Sequence, residues 1–141
     1  MITKFKIEQL DELMKIWLET NIDAHSFIPK EYWIDKAPLV KKLLPSSDIY
    51  VFKECNTIKG FIGVIENGYI AGIFIKKEYQ REGIGNKLID YIKSKYENIT
   101  LDVYNKNEKA LNFYYKNNFK VLDSKFDEET KELEYTLFYK K

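Results

Sequence analysis

The chain has one cysteine, Cys55, and one histidine, His25, among its 141 residues. A single cysteine cannot form an internal disulfide, and these two residues cannot assemble a zinc site of the Cys/His type within one chain; no metal site is expected. An excess of charge of one sign is also missing. Twenty-three basic residues face 22 acidic ones, for a net charge of +1, which argues against gripping nucleic acid mainly through phosphate neutralisation, so no nucleic-acid partner is expected. No apolar run approaches the ~20 residues that span a bilayer. The start, Met1 to Lys6, leads into a charged amphipathic segment rather than a signal-peptide core, so we expect no membrane partner and a cytoplasmic location. Repeats, linkers and low-complexity tracts are absent as well. What remains is a 16.9 kDa chain, 45% apolar and 32% charged, the size and composition of one domain over residues 1–141 with a single core.

Leu10, Leu13, Met14, Trp17 and Leu18 follow the spacing of one helical face, predicting a helix over about 7–20. Asn21 to Lys30 is aromatic and irregular, and Tyr32 to Leu44 reads as helix interrupted near Pro38, either two short helices or a kink. From Ile49 the period becomes that of strands: Ile49 to Lys53, Ile58 to Ile65 and Tyr69 to Ile75, an antiparallel meander. Ile84, Leu88, Ile89 and Ile92 mark a helix reaching about Tyr96, and Ile99 to Tyr104 is an apolar strand. A strand, helix, strand unit implies parallel pairing. A short helix over Glu108 to Asn117 and a hairpin of Phe119 to Phe126 with Glu132 to Tyr139 complete an α/β chain with a mixed sheet and helices on both faces.

The stretch from Ile73 to Leu88 carries the chemistry. A strand, Ile73-Phe74-Ile75, runs through Gln80-Arg81-Glu82-Gly83-Ile84-Gly85-Asn86 directly into an amphipathic helix. Backbone N–H groups and the positive helix end therefore converge on one place, an anion site. Glycines let a phosphate approach the backbone without obstruction by a β-carbon. A dinucleotide loop would need a third glycine where Leu88 stands, and a Walker loop needs Gly-Lys-Ser/Thr, so neither fits. From the two glycines alone, a tight turn without a ligand stays open.

Gln80-x-x-Gly83-x-Gly85 between a strand and a helix resembles the coenzyme A pyrophosphate loop of the GNAT (GCN5-related) N-acetyltransferase superfamily. A second block, Asn107 to Phe119, resembles that family's Asn, Ala, Phe-Tyr, Gly-Phe signature through Asn107, Ala110, Phe113-Tyr114 and Asn118-Phe119. The resemblance implies a mostly antiparallel sheet whose central parallel strands splay around acetyl-CoA as co-substrate. It implies that Ile73, Phe74 and Ile75 pair with the pantetheine arm, that Gln80 to Asn86 hold the pyrophosphate, and that Asn107 lies near the acyl end. Tyr114 falls beside the thioester sulfur and would protonate the leaving thiolate.

Asn107 also fits as the N-cap of the following helix, and Tyr114 as a rim aromatic. Phe113 and Leu111 read as core. Glu82 sets a negative charge near the loop, so its side chain should point outward with Arg81 and Lys87 offsetting it. Asn118 replaces the usual glycine, tolerable because asparagine adopts the left-handed conformation comparatively well.

The resemblance implies direct transfer from the thioester to a primary amine, a small molecule or a protein lysine. A covalent acyl-Cys55 route is disfavoured by a turn position without a nearby histidine. Strand Tyr69 to Ile75 carries no carboxylate, so the proton acceptor is left among Glu66, Glu78, Tyr69 and His25. Ala24-His25-Ser26-Phe27-Ile28, with Tyr32 and Trp33, resembles a subgroup that includes bacterial protein-lysine acetyltransferases. It marks His25, Phe27, Tyr32 and Trp33 as the acceptor wall or, equally, as a cap on the core. A module that holds coenzyme A or a protein partner without turnover is the rival class of function, and the chain could act as a monomer or a homodimer.

Overall fold

From Asp48 onward the chain is dominated by short apolar segments bounded by turns, and the computed structural model, which describes residues 1–141, joins six of them to Ile2–Lys4 in one seven-stranded sheet. The strands are β1 (Ile2–Lys4), β2 (Asp48–Glu54), β3 (Thr57–Ile65), β4 (Tyr69–Ile75), β5 (Asn98–Tyr104), β6 (Lys120–Asp127) and β7 (Glu132–Lys140). Their order across the sheet is β1-β2-β3-β4-β5-β7-β6. Every neighbouring pair is antiparallel except β4 and β5. These two parallel strands share one registered pair, Tyr69 with Thr100, and then part. That gap is what positions the site.

Helices α1 (Leu10–Ala24) and α2 (Lys30–Leu43) cover one face, and α3 (Ile84–Lys93) and α4 (Glu108–Lys116) the other. Two apolar clusters result, one on each side of the sheet. Leu88, Ile89 and Ile92 of α3 meet Ile62, Ile70, Ile99 and Leu101, while Leu13, Ile16 and Trp17 of α1 meet Val51, Phe61 and Trp33. Burial of each such side chain stabilises the fold by ~1.5–3 kcal/mol before entropy is subtracted. No helix is long and apolar enough to cross a membrane.

Three elements differ from the sequence reading. Helix α2 is continuous through Pro38 rather than split. Pro38 and Ile34 are both exposed, so the Ile34 carbonyl, which loses its intrahelical donor, faces water. The first helix begins after a single turn at Ile7–Gln9 and runs on to Ala24. Its extension is supported by Asn21, which turns inward and donates from Nδ2 to the Trp17 carbonyl at 2.9 Å. Finally, Ile2–Lys4 pairs with Tyr50 to Phe52 as an edge strand too short to show a period.

Candidate active site

The parting of β4 and β5 opens a cleft of about 1170 Å³. It runs from the turn before α3, past α4, to the ends of α1 and α2. At its first end the chain leaves β4 by a single turn, Lys77–Tyr79, and enters α3 with Arg81 at φ +71° and Gly83 at φ +81°. Left-handed residues so closely spaced are the backbone pattern from which N–H nests that can hold an anion are built. No side chain caps α3, so its first-turn donors stay available.

Gly83 has open space where a Cβ would project, whereas a Cβ on Gly85 would come within 3.0 Å of the Phe113 ring. The first glycine keeps the cleft clear, and the second lets α3 approach α4. These features fit a pyrophosphate-bearing group. Gln80 braces the loop: Nε2 donates to the Ile75 carbonyl at 3.1 Å, and Oε1 accepts from Lys109 Nζ at 3.0 Å. Asn86 accepts from Asn117 at 3.0 Å. Glu82 faces Lys59 at 3.5 Å outside the cleft. Its offset thus comes from β3, while Lys87 lies over the Phe52 ring.

Ile73, Phe74 and Ile75 line the cleft along β4, beside the backbone edge that β5 leaves unpaired. Tyr114 projects from α4 and is only 8% exposed. Burial alone pushes its phenol well above the ordinary tyrosine range, so at neutral pH it holds its proton. Asn107 caps α4, its Oδ1 accepting from the Ala110 N–H at 3.3 Å, and it also lines the cleft. Leu111 is buried and Phe113 partly so.

At the other end, His25 stacks on Trp33 with ring centroids 4.9 Å apart. Its Nδ1 lies 2.9 Å from the Asn21 carbonyl oxygen, which assigns the proton to Nδ1. Nε2 then offers a lone pair to Asn107 Nδ2 at 3.4 Å. Burial lowers the His25 pKa, with the Asn21 bond opposing. His25 and Trp33 line the cleft; Phe27 and Tyr32 do not. Phe27 packs edge-on against His25 and Tyr104, and Tyr32 edge-on against Trp33. The hairpin turn is strapped to this wall by Lys36 to Glu129 at 2.7 Å and by Tyr104, whose hydroxyl donates to Asp127 at 3.0 Å.

Three carboxylates that sequence reasoning missed also line the cleft, Asp23 on α1, Asp102 on β5 and Glu134 on β7. The signal was present in Leu101-Asp102-Val103-Tyr104: Leu101 and Val103 join the cluster against α3 and α4, leaving Asp102 on the opposite face. Among the proton acceptors considered from sequence, Glu66 and Glu78 are exposed on turns, and Tyr69 donates its hydroxyl to Asp102 at 2.7 Å.

Residues 28–133 match the acetyltransferase (GNAT) domain family, and the chain belongs to that family. It is an N-acetyltransferase. It is 32% identical over 131 residues to the peptidyl-lysine N-acetyltransferase YiaC of Escherichia coli, covering 92% of this chain and 90% of that protein. The solution structure of apo YjaB from Escherichia coli superposes with a TM-score of 0.86 at 27% identity, over 99% of this chain and 96% of that one. A Bacillus anthracis acetyltransferase solved in complex with acetyl coenzyme A aligns at 26% identity and a TM-score of 0.60, over 67% of this chain and 63% of the other.

Proposed function

We propose that the chain moves the acetyl group of acetyl-CoA directly to a primary amine, the side chain of a lysine in a peptide or protein. The observation that carries this reading is the continuous cleft between β4 and β5, which joins an anion-binding turn and a buried phenol at one end to an aromatic, carboxylate-bearing opening at the other. The relatives named peptidyl-lysine N-acetyltransferases support the choice of lysine, and the acetyl coenzyme A in the Bacillus anthracis neighbour supports the co-substrate.

In this reading Arg81, Gly83, Ile84, Gly85 and Asn86 offer backbone donors to the pyrophosphate, braced by Gln80, while Ile73 to Ile75 align the pantetheine arm. Asn107 sits where that arm meets the acyl end. The amine lone pair attacks the thioester carbonyl carbon, the C–S bond breaks, and Tyr114 gives its proton to the departing sulfur. A phenol kept neutral by burial suits that task, and a positioned proton donor is worth ~10²–10⁴ in rate. His25 and Trp33 form the wall met by the incoming side chain.

The test is release of coenzyme A in the presence of polyamines, free amino acids, aminoglycosides and lysine peptides. The expected result is the highest kcat/KM for a lysine peptide, and a tenfold or greater fall in turnover for Tyr114→Phe with acetyl-CoA affinity intact. Binding of acetyl-CoA without transfer to any amine would overturn the reading in favour of a coenzyme A-binding module. Unchanged turnover in Tyr114→Phe would leave Tyr114 as a packing residue.

A further inference from the structure

A lysine ammonium with pKa ~10.4 is neutral about one time in a thousand near pH 7.4, so freeing its lone pair costs ~4 kcal/mol. Three carboxylates line the cleft and could take that proton: Asp23, Asp102 and Glu134. Asp23 is exposed and faces Lys77 at 3.4 Å. Asp102 accepts the Thr136 hydroxyl at 2.6 Å, the Tyr69 hydroxyl at 2.7 Å and the Lys125 ammonium at 3.1 Å. These three donors stabilise its anion. Glu134 has no hydrogen bond and no ion pair, although its side chain is half-buried at the cleft. Its register partners are Tyr104 on β5 and Lys125 on β6, and Asp102 is its diagonal neighbour, opposite Thr136.

We propose that Glu134 takes the proton from the acceptor amine, with Asp102 as a positioning residue whose fixed charge acts on it. The proposal rests on the reading of amine acetylation given above. A Glu134 carboxylate oxygen accepts a proton from the ammonium, directly or through one water. The freed lone pair forms the C–N bond, the C–S electron pair leaves on sulfur, and the thiolate takes the Tyr114 proton. The proton shed by the new amide nitrogen restores Tyr114, and Glu134 returns its own to solvent. Thioester and ammonium thus become amide, thiol and one free proton.

The electrostatics suit the task. Burial, then the charges of Asp102 and Asp127, raise Glu134 above the ordinary carboxylate range, with Lys125 opposing. For Asp102, burial acts upward, but the bonds from Thr136, Tyr69 and Lys125 outweigh it and hold the group low. Of two neighbouring carboxylates, the one raised toward neutrality is the better base.

The experiment is the pH profile of kcat and kcat/KM for a lysine peptide at saturating acetyl-CoA, in the wild type, Glu134→Gln and Asp102→Asn. Glu134→Gln is expected to lower kcat by ~10²–10⁴ near neutral pH and to lose the acid limb, its activity climbing toward the amine's own pKa of ~10.4. Acetyl-CoA affinity by calorimetry should be unchanged, and formate should restore part of the activity of Glu134→Ala. Asp102→Asn should keep the acid limb and move it to lower pH. Retention of the wild-type limb in Glu134→Gln, or its loss only in Asp102→Asn, overturns the assignment while amine acetylation stands. A wild-type chain that acetylates no amine removes the underlying reading instead.

Discussion

Asn118 ends α4 in the left-handed region, at φ +69°. The Phe119 N–H reaches back to the Tyr114 carbonyl at 3.0 Å and the Asn118 N–H to the Tyr115 carbonyl at 3.0 Å, the paired bonds of a Schellman end. The Phe119 ring closes the motif edge-on against Tyr114 at 5.5 Å. One residue of unusual backbone therefore sets both the end of the helix and one wall around the phenol. Asparagine holds this conformation at a strain that glycine does not have. Asn118→Gly is expected to stabilise the native state by ~0.5–1 kcal/mol, less the added freedom of the unfolded chain. The measurement is a thermal melt, with a rise of no more than about 2 °C and unchanged turnover. A lower melting temperature would mean that the asparagine side chain contributes something its backbone angle does not explain.

The junction of β4 with α3 is the element on which cofactor binding is expected to depend. Gly83→Val places a β-branched side chain at φ +81° and fills the open space in the cleft, so calorimetry should register loss of acetyl-CoA binding. The apolar cluster beneath lies on α3 at Leu88, Ile89 and Ile92 and is untouched, so circular dichroism should stay native. Binding at wild-type affinity would refute the cofactor assignment. This junction was legible in the sequence because everything it needs is local: a strand, two glycines and an amphipathic run in unbroken succession. The meander and the closing hairpin were legible for the same reason. Continuity of α2 was not, because the cost of Pro38 depends on whether water can reach the Ile34 carbonyl, a tertiary fact. Nor was the meeting of Asp102 with Glu134, which β5–β7 pairing alone creates, or the Lys59 partner of Glu82, which comes from β3. Phe27 and Tyr32 sit in the expected segment, yet Phe27, in the turn after α1, and Tyr32, in the first turn of α2, pack against other rings rather than lining the cleft.

Across the whole molecule, the cleft separates the N-terminal helices from α4, and His25 bridges it. The ring takes its orientation from Asn21 on one side and offers Nε2 to Asn107 on the other, 82 residues away in sequence. Asn107 cannot reverse its amide freely, because its Oδ1 already caps α4. Protonated His25 would set a donor against a donor and lose this contact. Burial has already moved its folded pKa below the ordinary 6.5, so between the two values the unfolded chain binds the proton and the native state does not. The contribution of neutral His25 is therefore complete above about pH 6.5 and is lost as the pH falls toward the folded value. His25→Gln removes the titration while keeping a polar side chain. Melting temperatures from pH 7.5 down to 5 are expected to fall more steeply for the wild type than for this variant. The KM for a lysine peptide should rise in His25→Gln while acetyl-CoA affinity holds. Parallel stability profiles for the two proteins would show that the bridge has no energetic consequence, and an unchanged KM would assign the residue to packing against Trp33 alone.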